Sequence, residues 1–196
     1  MKNYLSLVKF SHTVFALPFA MIGFTLGIYS WNKLTIYIND SNQLLSAKSL
    51  SIKLILVLIC MVTARNAAMA FNRYIDRQYD EKNPRTAIRE IPAGIITPKN
   101  ALLFIVINCL LFIVATYFIN QLCFFLSPIA LAVVLGYSLT KRFTFLCHLI
   151  LGIGLGLAPI GAFLAVTGKF QILPLFFSFA VLFWVAGFDI IYALQD

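Results

Sequence analysis

Charge is what this chain has least of. Only 11% of its 196 residues are Asp, Glu, Lys or Arg, where a soluble domain carries about a quarter. Seven residues are acidic and two are histidine. That scarcity excludes an ordinary water-soluble domain. The four cysteines, Cys60, Cys109, Cys123 and Cys147, lie inside apolar segments without metal-ligand spacing, so packing is their expected role. His12 and His148 stand alone near the ends of apolar runs and are read as structural. A cleavable signal peptide is also missing. The first apolar run, Ser11 to Trp31, is as long as a full span and has no small-residue cleavage site, so it reads as a retained helix.

What fills the chain instead is apolar. Hydrophobic residues make up 61% of it and form several runs near twenty residues, the mark of a polytopic membrane protein. Six spans are expected, at 11–31, 52–72, 101–119, 122–139, 145–166 and 171–191. A bilayer core offers no water to backbone N–H and C=O groups, so these spans must be helices. The expected fold is an all-α transmembrane bundle, one domain over 1–196. The 32–51 and 73–100 connections are polar, the second containing Pro84, Pro92 and Pro98. The remaining connections are short, as between antiparallel neighbours. Gly152, Gly154, Gly156 and Gly161 have the spacing of a close helix contact. Pro159 is expected to kink the fifth span. The nineteen phenylalanines are read mostly as lipid-facing or packing residues.

A net charge of +8 suits nucleic acid at first sight. The basic residues instead gather beside the apolar runs, which fits a lipid bilayer and no nucleic acid. With the N-terminus inside, the inner segments hold ten cations: Lys2, Lys9, Arg73, Arg77, Lys82, Arg85, Arg89, Lys99, Lys141 and Arg142. The outer segments hold four: Lys33, Lys48, Lys53 and Lys169. This bias places the N-terminus in the cytoplasm.

Four of the seven acidic residues fall in two motifs at span ends. One is Asn72-x-x-x-Asp76-x-x-x-Asp80; the other is Asp189-x-x-Tyr192-x-x-x-Asp196. Four helical spans separate their positions, so they share a face of the membrane in either orientation. Positions four apart on a helix differ by ~40° around the axis and positions seven apart by ~20°. Asp76 and Asp80 therefore lie on one stripe with Asn72 a turn above, and Asp189, Tyr192 and Asp196 form another. Two facing carboxylate stripes repel each other unless a cation lies between them. On this reasoning, removing a carboxylate leaves stability of the metal-free protein unchanged or raises it. Asp76, Asp80, Asp189 and Asp196 are the candidate Mg²⁺ ligands, because carboxylate oxygens suit that ion and its other positions take water or phosphate. A diphosphate is the natural third party.

The basic residues agree with this. Arg73, Arg77, Lys82 and Arg85 surround the first motif, and Lys141 and Arg142 occupy the next inner loop. Arginine suits bidentate phosphate binding. Arg65 differs. It lies seven residues before Asn72, within span two and on nearly the same face. An arginine at mid-span costs at least ~2.5 kcal/mol on insertion scales, so a polar cavity is expected around it.

These residues resemble the UbiA family of intramembrane aromatic prenyltransferases. The stretch from Arg65 to Arg77, continued by Asp80-Glu81-Lys82-Asn83-Pro84-Arg85-Thr86, is similar to the family's first aspartate-rich region. Tyr137-Ser138-Leu139-Thr140-Lys141-Arg142-Phe143 resembles its basic loop between spans four and five. The run from Asp189 to Asp196 resembles the second aspartate-rich region as it reads in 4-hydroxybenzoate polyprenyltransferases. The resemblance implies a nine-helix fold with both motifs at the cytoplasmic ends of helices two and six. Six helices are expected here, and Asp196 is the last residue, so the chain is expected to be the N-terminal part of a longer protein.

The resemblance further implies Mg²⁺-dependent transfer of a polyprenyl group from its diphosphate to an aromatic acceptor such as 4-hydroxybenzoate, in quinone biosynthesis. Asn72, Tyr192 and Tyr137 join the carboxylates as site residues, and Arg65 is the candidate for the acceptor's carboxylate. An aminofutalosine-derived benzoate of menaquinone biosynthesis is the alternative acceptor. A CDP-alcohol phosphotransferase needs a contiguous Asp-Gly and Ala-Arg signature that is absent. A cation-coupled transporter needs carboxylates near midplane at broken helices, whereas these lie at helix ends.

Single cysteines at Gln78 and Lys169, in a cysteine-free background, test the orientation in intact cells. An impermeant thiol reagent is expected to label position 169 and spare position 78; the reverse pattern inverts the topology.

Overall fold

The computed structural model describes residues 2–8, 10–38, 47–144 and 146–194. These residues fold into seven helices, and no strand occurs among them. A short α1 (Lys2–Leu7) precedes α2 (Phe10–Ile38), α3 (Ala47–Lys82), α4 (Pro98–Ile119), α5 (Gln121–Thr140), α6 (Cys147–Thr167) and α7 (Leu173–Ala193). The six long helices cover the six expected runs. Five of them, α3 to α7, are long and apolar enough to cross a membrane. The chain is a multi-pass membrane protein, and large apolar side chains such as Phe118, Phe125, Phe176 and Phe183 stand exposed on its outer surface.

The helix ends follow from local chemistry. Thr97 caps α4 by accepting from the Asn100 N–H, with Pro98 in the first turn, where its missing N–H is no loss. Asn120 caps α5 through the Cys123 N–H at 2.8 Å. Its amide also donates to the Leu164 carbonyl at 2.9 Å, joining α5 to the last turn of α6. That turn ends at Gly168, whose φ of 63° is a left-handed stop, and Lys53 of α3 donates to the Val166 carbonyl at 2.9 Å. The carbonyls left open at the end of α6 thus find partners on three sides.

Helix α3 runs further than the expected 52–72 span. Its 36 residues make it about 54 Å long, against a hydrocarbon core of about 30 Å. No proline interrupts it until Pro84, and the residue before a proline resists the helical conformation, so the helix stops at Lys82. The segment expected to be a loop from Arg73 is therefore helical for nearly three more turns. It carries Asp76 and Asp80 on a continuous helix.

Two apolar clusters hold the bundle. One joins Ala20 and Phe24 of α2, Val57 of α3, Cys123 of α5 and Ala162, Leu164, Ala165 and Val166 of α6. The other packs Leu7, Ala70, Ile91, Ile96, Ala101 and Ile105 at the end where the first motif lies. Cys123 and Cys147 are buried, in keeping with packing roles. Helix α6 is the hub, with its most extensive contacts to α7 and α2. A side chain at Gly152 would overlap the Leu182 carbonyl, and one at Gly156 would lie 3.0 Å from the Ser178 carbonyl. These two glycines are the close contact expected from the spacing. Gly154 meets only Val134 at ordinary distance, and nothing lies within 4 Å of a side chain added at Gly161.

Gly152→Ala is expected to force α6 and α7 apart and cost about 1–3 kcal/mol, the usual range for overpacking. Gly161→Ala is expected to leave stability unchanged or slightly raised. Thermal unfolding in detergent compares the two; equal midpoints would contradict the close crossing.

Candidate active site

The first motif and the α5–α6 loop meet. Lys141 pairs with one oxygen of Asp76, and Arg142 reaches the other at 3.4 Å. Arg142 also donates to the Ile75 carbonyl at 2.9 Å and lies over the Tyr79 ring at 5.1 Å. Asn72 completes the group. A carboxylate only accepts and an ammonium only donates. The Asn72 amide nitrogen accordingly faces Asp76 at 3.2 Å, and its oxygen accepts from Lys141 at 3.3 Å. The Asn72–Asp76 spacing of one helical turn makes this possible.

Asp80 has a different partner. It is 7% exposed and holds Arg89 through two hydrogen bonds, at 2.8 and 2.9 Å. The Thr86 hydroxyl donates to the Asp80 backbone carbonyl at 3.0 Å, folding the 83–97 segment back on α3. Arg73, next to Asn72 and so ~100° around the helix from it, is buried and paired with Glu90. Ser6 of α1 donates to the same glutamate. Arg77 folds over the Tyr74 ring at 4.5 Å and donates to the Tyr74 carbonyl at 2.7 Å. Lys82, the last residue of α3, and Arg85 beyond it are exposed.

The second motif is described as far as Leu194; Asp196 lies outside the described residues. Asp189 is 2.7 Å from Nδ1 of His148. Tyr192 is 61% exposed and stacks on Phe188. Tyr137 joins the two halves, lying within electrostatic reach of Asp76, Asp189 and Arg65.

Beneath these charges is an apolar cavity of about 420 Å³ bounded by α2 to α6. Arg65, Asn72 and Tyr137 are among the few polar side chains in its wall. The Arg65 Nε is buried without a hydrogen-bond partner. The expected polar cavity around this arginine is therefore mostly apolar, with Tyr137 as its nearby polar neighbour.

The structure corrects one expectation. The carboxylate stripes are not held apart by mutual repulsion, because Asp76, Asp80 and Asp189 each already have a cationic or N–H partner from another segment. Arg89, Glu90 and His148 carry much of this pairing and were not among the expected site residues. Arg89 and Glu90 sit in a polar segment whose fold is not readable from periodicity. His148 was read as structural for want of a neighbour in sequence. For the metal, no three His, Cys, Asp or Glu side chains form one cluster among the described residues. The candidate ligands Asp76 and Asp80 lie on α3 and Asp189 on α7. Mg²⁺ usually takes only one or two carboxylates, so this oxygen-donor set fits it.

Charged side chains over an apolar, bundle-enclosed cavity define a multi-pass helical membrane protein with a polar rim above an apolar interior. The sequence profile of the UbiA prenyltransferase family matches residues 41–196. The chain belongs to that family. It is similar to a 4-hydroxybenzoate octaprenyltransferase from Tolumonas auensis, 34% identical over 132 residues, 67% of this chain and 46% of the relative. An enzyme of the same name from Actinobacillus pleuropneumoniae is 31% identical over 144 residues, 73% of this chain and 49% of the relative. The chain thus spans about half the length of the curated relatives it matches. Among solved structures, the apo UbiA homolog from Aeropyrum pernix K1 aligns with a TM-score of 0.77 at 30% identity, over 95% of this chain and 64% of that one. A UbiA homolog from Archaeoglobus fulgidus, bound to GPP and Mg²⁺, shares the fold with a TM-score of 0.69 at 21% identity, over 99% of this chain and 63% of that one.

With chelator present, Asp76→Asn is expected to lower the thermal midpoint, by about 1 kcal/mol because its partners are partly solvated. Asp80→Asn is expected to lower it more, by about 1–3 kcal/mol, since a buried charge-assisted pair is broken. A rise in either midpoint would restore the repulsion argument.

Proposed function

We propose that this protein transfers a polyprenyl group from polyprenyl diphosphate to an aromatic acceptor, with 4-hydroxybenzoate as the acceptor class, in ubiquinone biosynthesis. The observation that carries this reading is Asn72, which both lines the apolar cavity and belongs to the Asp76–Lys141 cluster. A single bound molecule can thus keep its head among charges and its tail among apolar side chains.

Asp76, Asp80, Asp189 and Asp196 would hold Mg²⁺, with Asn72 and Tyr192 beside them. Mg²⁺ bound there supplies charge neutralisation to a diphosphate leaving group. Lys141 and Arg142 already reach into the cluster and offer N–H donors to diphosphate oxygens; Arg77, Lys82 and Arg85 add positive potential at the rim. Arg73, tied to Glu90, contributes field rather than contact. The apolar wall holds the isoprenoid and keeps water from the allylic cation left when diphosphate departs. The electron-rich ring then attacks that cation beside its hydroxyl and loses a proton. Arg65 lies ~10 Å along α3 from Asn72, deep enough to bind the acceptor's carboxylate while the diphosphate stays at the membrane edge. Tyr137 lies between the two positions. We place the site on the cytoplasmic face of the inner membrane, following the bias of basic residues.

The test is to assay membranes containing the protein with polyprenyl diphosphate and a panel of aromatic acids, including an aminofutalosine-derived benzoate, and to identify products by mass. A prenylated hydroxybenzoate is expected, with turnover lost in chelator and restored by Mg²⁺. Arg65→Leu is expected to raise the acceptor KM at least tenfold and leave the diphosphate KM within about threefold, since it removes a charge-assisted contact worth ~1.5–3 kcal/mol. No prenylated product from any acceptor, or full turnover in chelator, would overturn the reading. A selective rise in the diphosphate KM would move Arg65 to the head-group site.

A further inference from the structure

We propose that His148 is a positioning residue for Asp189, held in register by the glycine seam between α6 and α7. His148, Gly152 and Gly156 are spaced four apart and form one stripe on α6. Ser178, Leu182 and Asp189 are spaced four and seven apart and form the facing stripe on α7. The two stripes meet in antiparallel order. Gly156 lies against the Ser178 backbone, Gly152 against the Leu182 backbone, and His148 reaches Asp189 at 2.7 Å. The absence of side chains at two glycines lets the helix backbones approach closely. That approach sets the distance at which an imidazole spans the remaining gap.

The bond has a defined direction. A carboxylate only accepts, so Nδ1 must carry the proton and donate to Asp189 Oδ2. Both the neutral Nδ1–H tautomer and the imidazolium satisfy this, so the contact does not depend on a change of protonation. One carboxylate oxygen is thereby fixed against α6, and the other keeps its lone pairs for another partner. Both groups are half-buried, with side chains 25% and 29% accessible, and the hydrogen bond holds each in one rotamer. Partners that orient a metal-binding carboxylate typically change metal affinity by 10–100-fold when removed.

This inference rests on the reading that Asp189 binds the divalent cation. Mn²⁺ binding to the purified protein in detergent, read from the loss of the free-ion EPR signal, separates the two. His148→Ala is expected to weaken Mn²⁺ binding at least tenfold. His148→Asn, whose amide nitrogen occupies the place of Nδ1, is expected to bind within about threefold of the unsubstituted protein. His148→Gln, which offers its donor one bond further out, is expected to resemble the alanine variant. Thermal midpoints are measured alongside, and if the alanine variant does not fold the Asn and Gln pair carries the comparison. Equal affinity in the Asn and Gln variants, or an unchanged affinity in the alanine variant, overturns the inference. Unchanged Mn²⁺ affinity in Asp189→Asn overturns the cation reading itself, and with it this one.

Discussion

In an apolar bundle, an unpaired charge is the most expensive thing a side chain can carry. The arrangement of this protein follows from that constraint. Asp76 is gripped by Lys141 and Arg142, Asp80 by Arg89, Arg73 by Glu90, and Asp189 by His148. In each case the partner comes from a different segment. Pairing therefore does more than neutralise charge: it ties the end of α3 to the α5–α6 loop and to the 83–97 segment, and α6 to α7. Asp76, Asp80, Glu90 and Asp189 each have a structural partner.

A long α3 makes this geometry possible. It extends from the apolar core at Val57, past Arg65 in the cavity wall, to Asp76 and Asp80 near its C-terminal end. Arg65 and Asp80 are about 22 Å apart along one rigid element, at 1.5 Å per residue. The apolar cavity and the charged rim are thus held at a fixed separation by a single helix. Lys53 and Asn120 do similar service at the opposite end, where they satisfy the last carbonyls of α6. Both ends of the bundle are closed by side chains reaching across helices, leaving the middle to apolar packing and the glycine seam.

Much of this was legible in the chain. The six apolar runs, the same-face placement of Asn72, Asp76 and Asp80, and the close contact at Gly152 and Gly156 all follow from spacing along a helix. The extension of α3 to Lys82 was also latent, because Pro84 is the first residue past the span that opposes helix. What could not be read was the choice of partners. Nothing local says that Arg73 turns to Glu90 while Asp76 takes Lys141, 65 residues beyond it in sequence. Nor does spacing reveal that His148, isolated in sequence, faces Asp189 across the seam.

The division has a physical origin. Hydropathy and helical periodicity act through neighbours within one or two turns, so the sequence alone determined the helices, the faces bearing acidic residues, and the family they resemble. Which faces meet depends on the rotation and offset of one helix against another, set by packing over the whole bundle. A rotation of one residue, ~100°, would carry Asp189 away from His148 without altering α7 itself. Only the tertiary structure decided that register, and with it which charges neutralise one another.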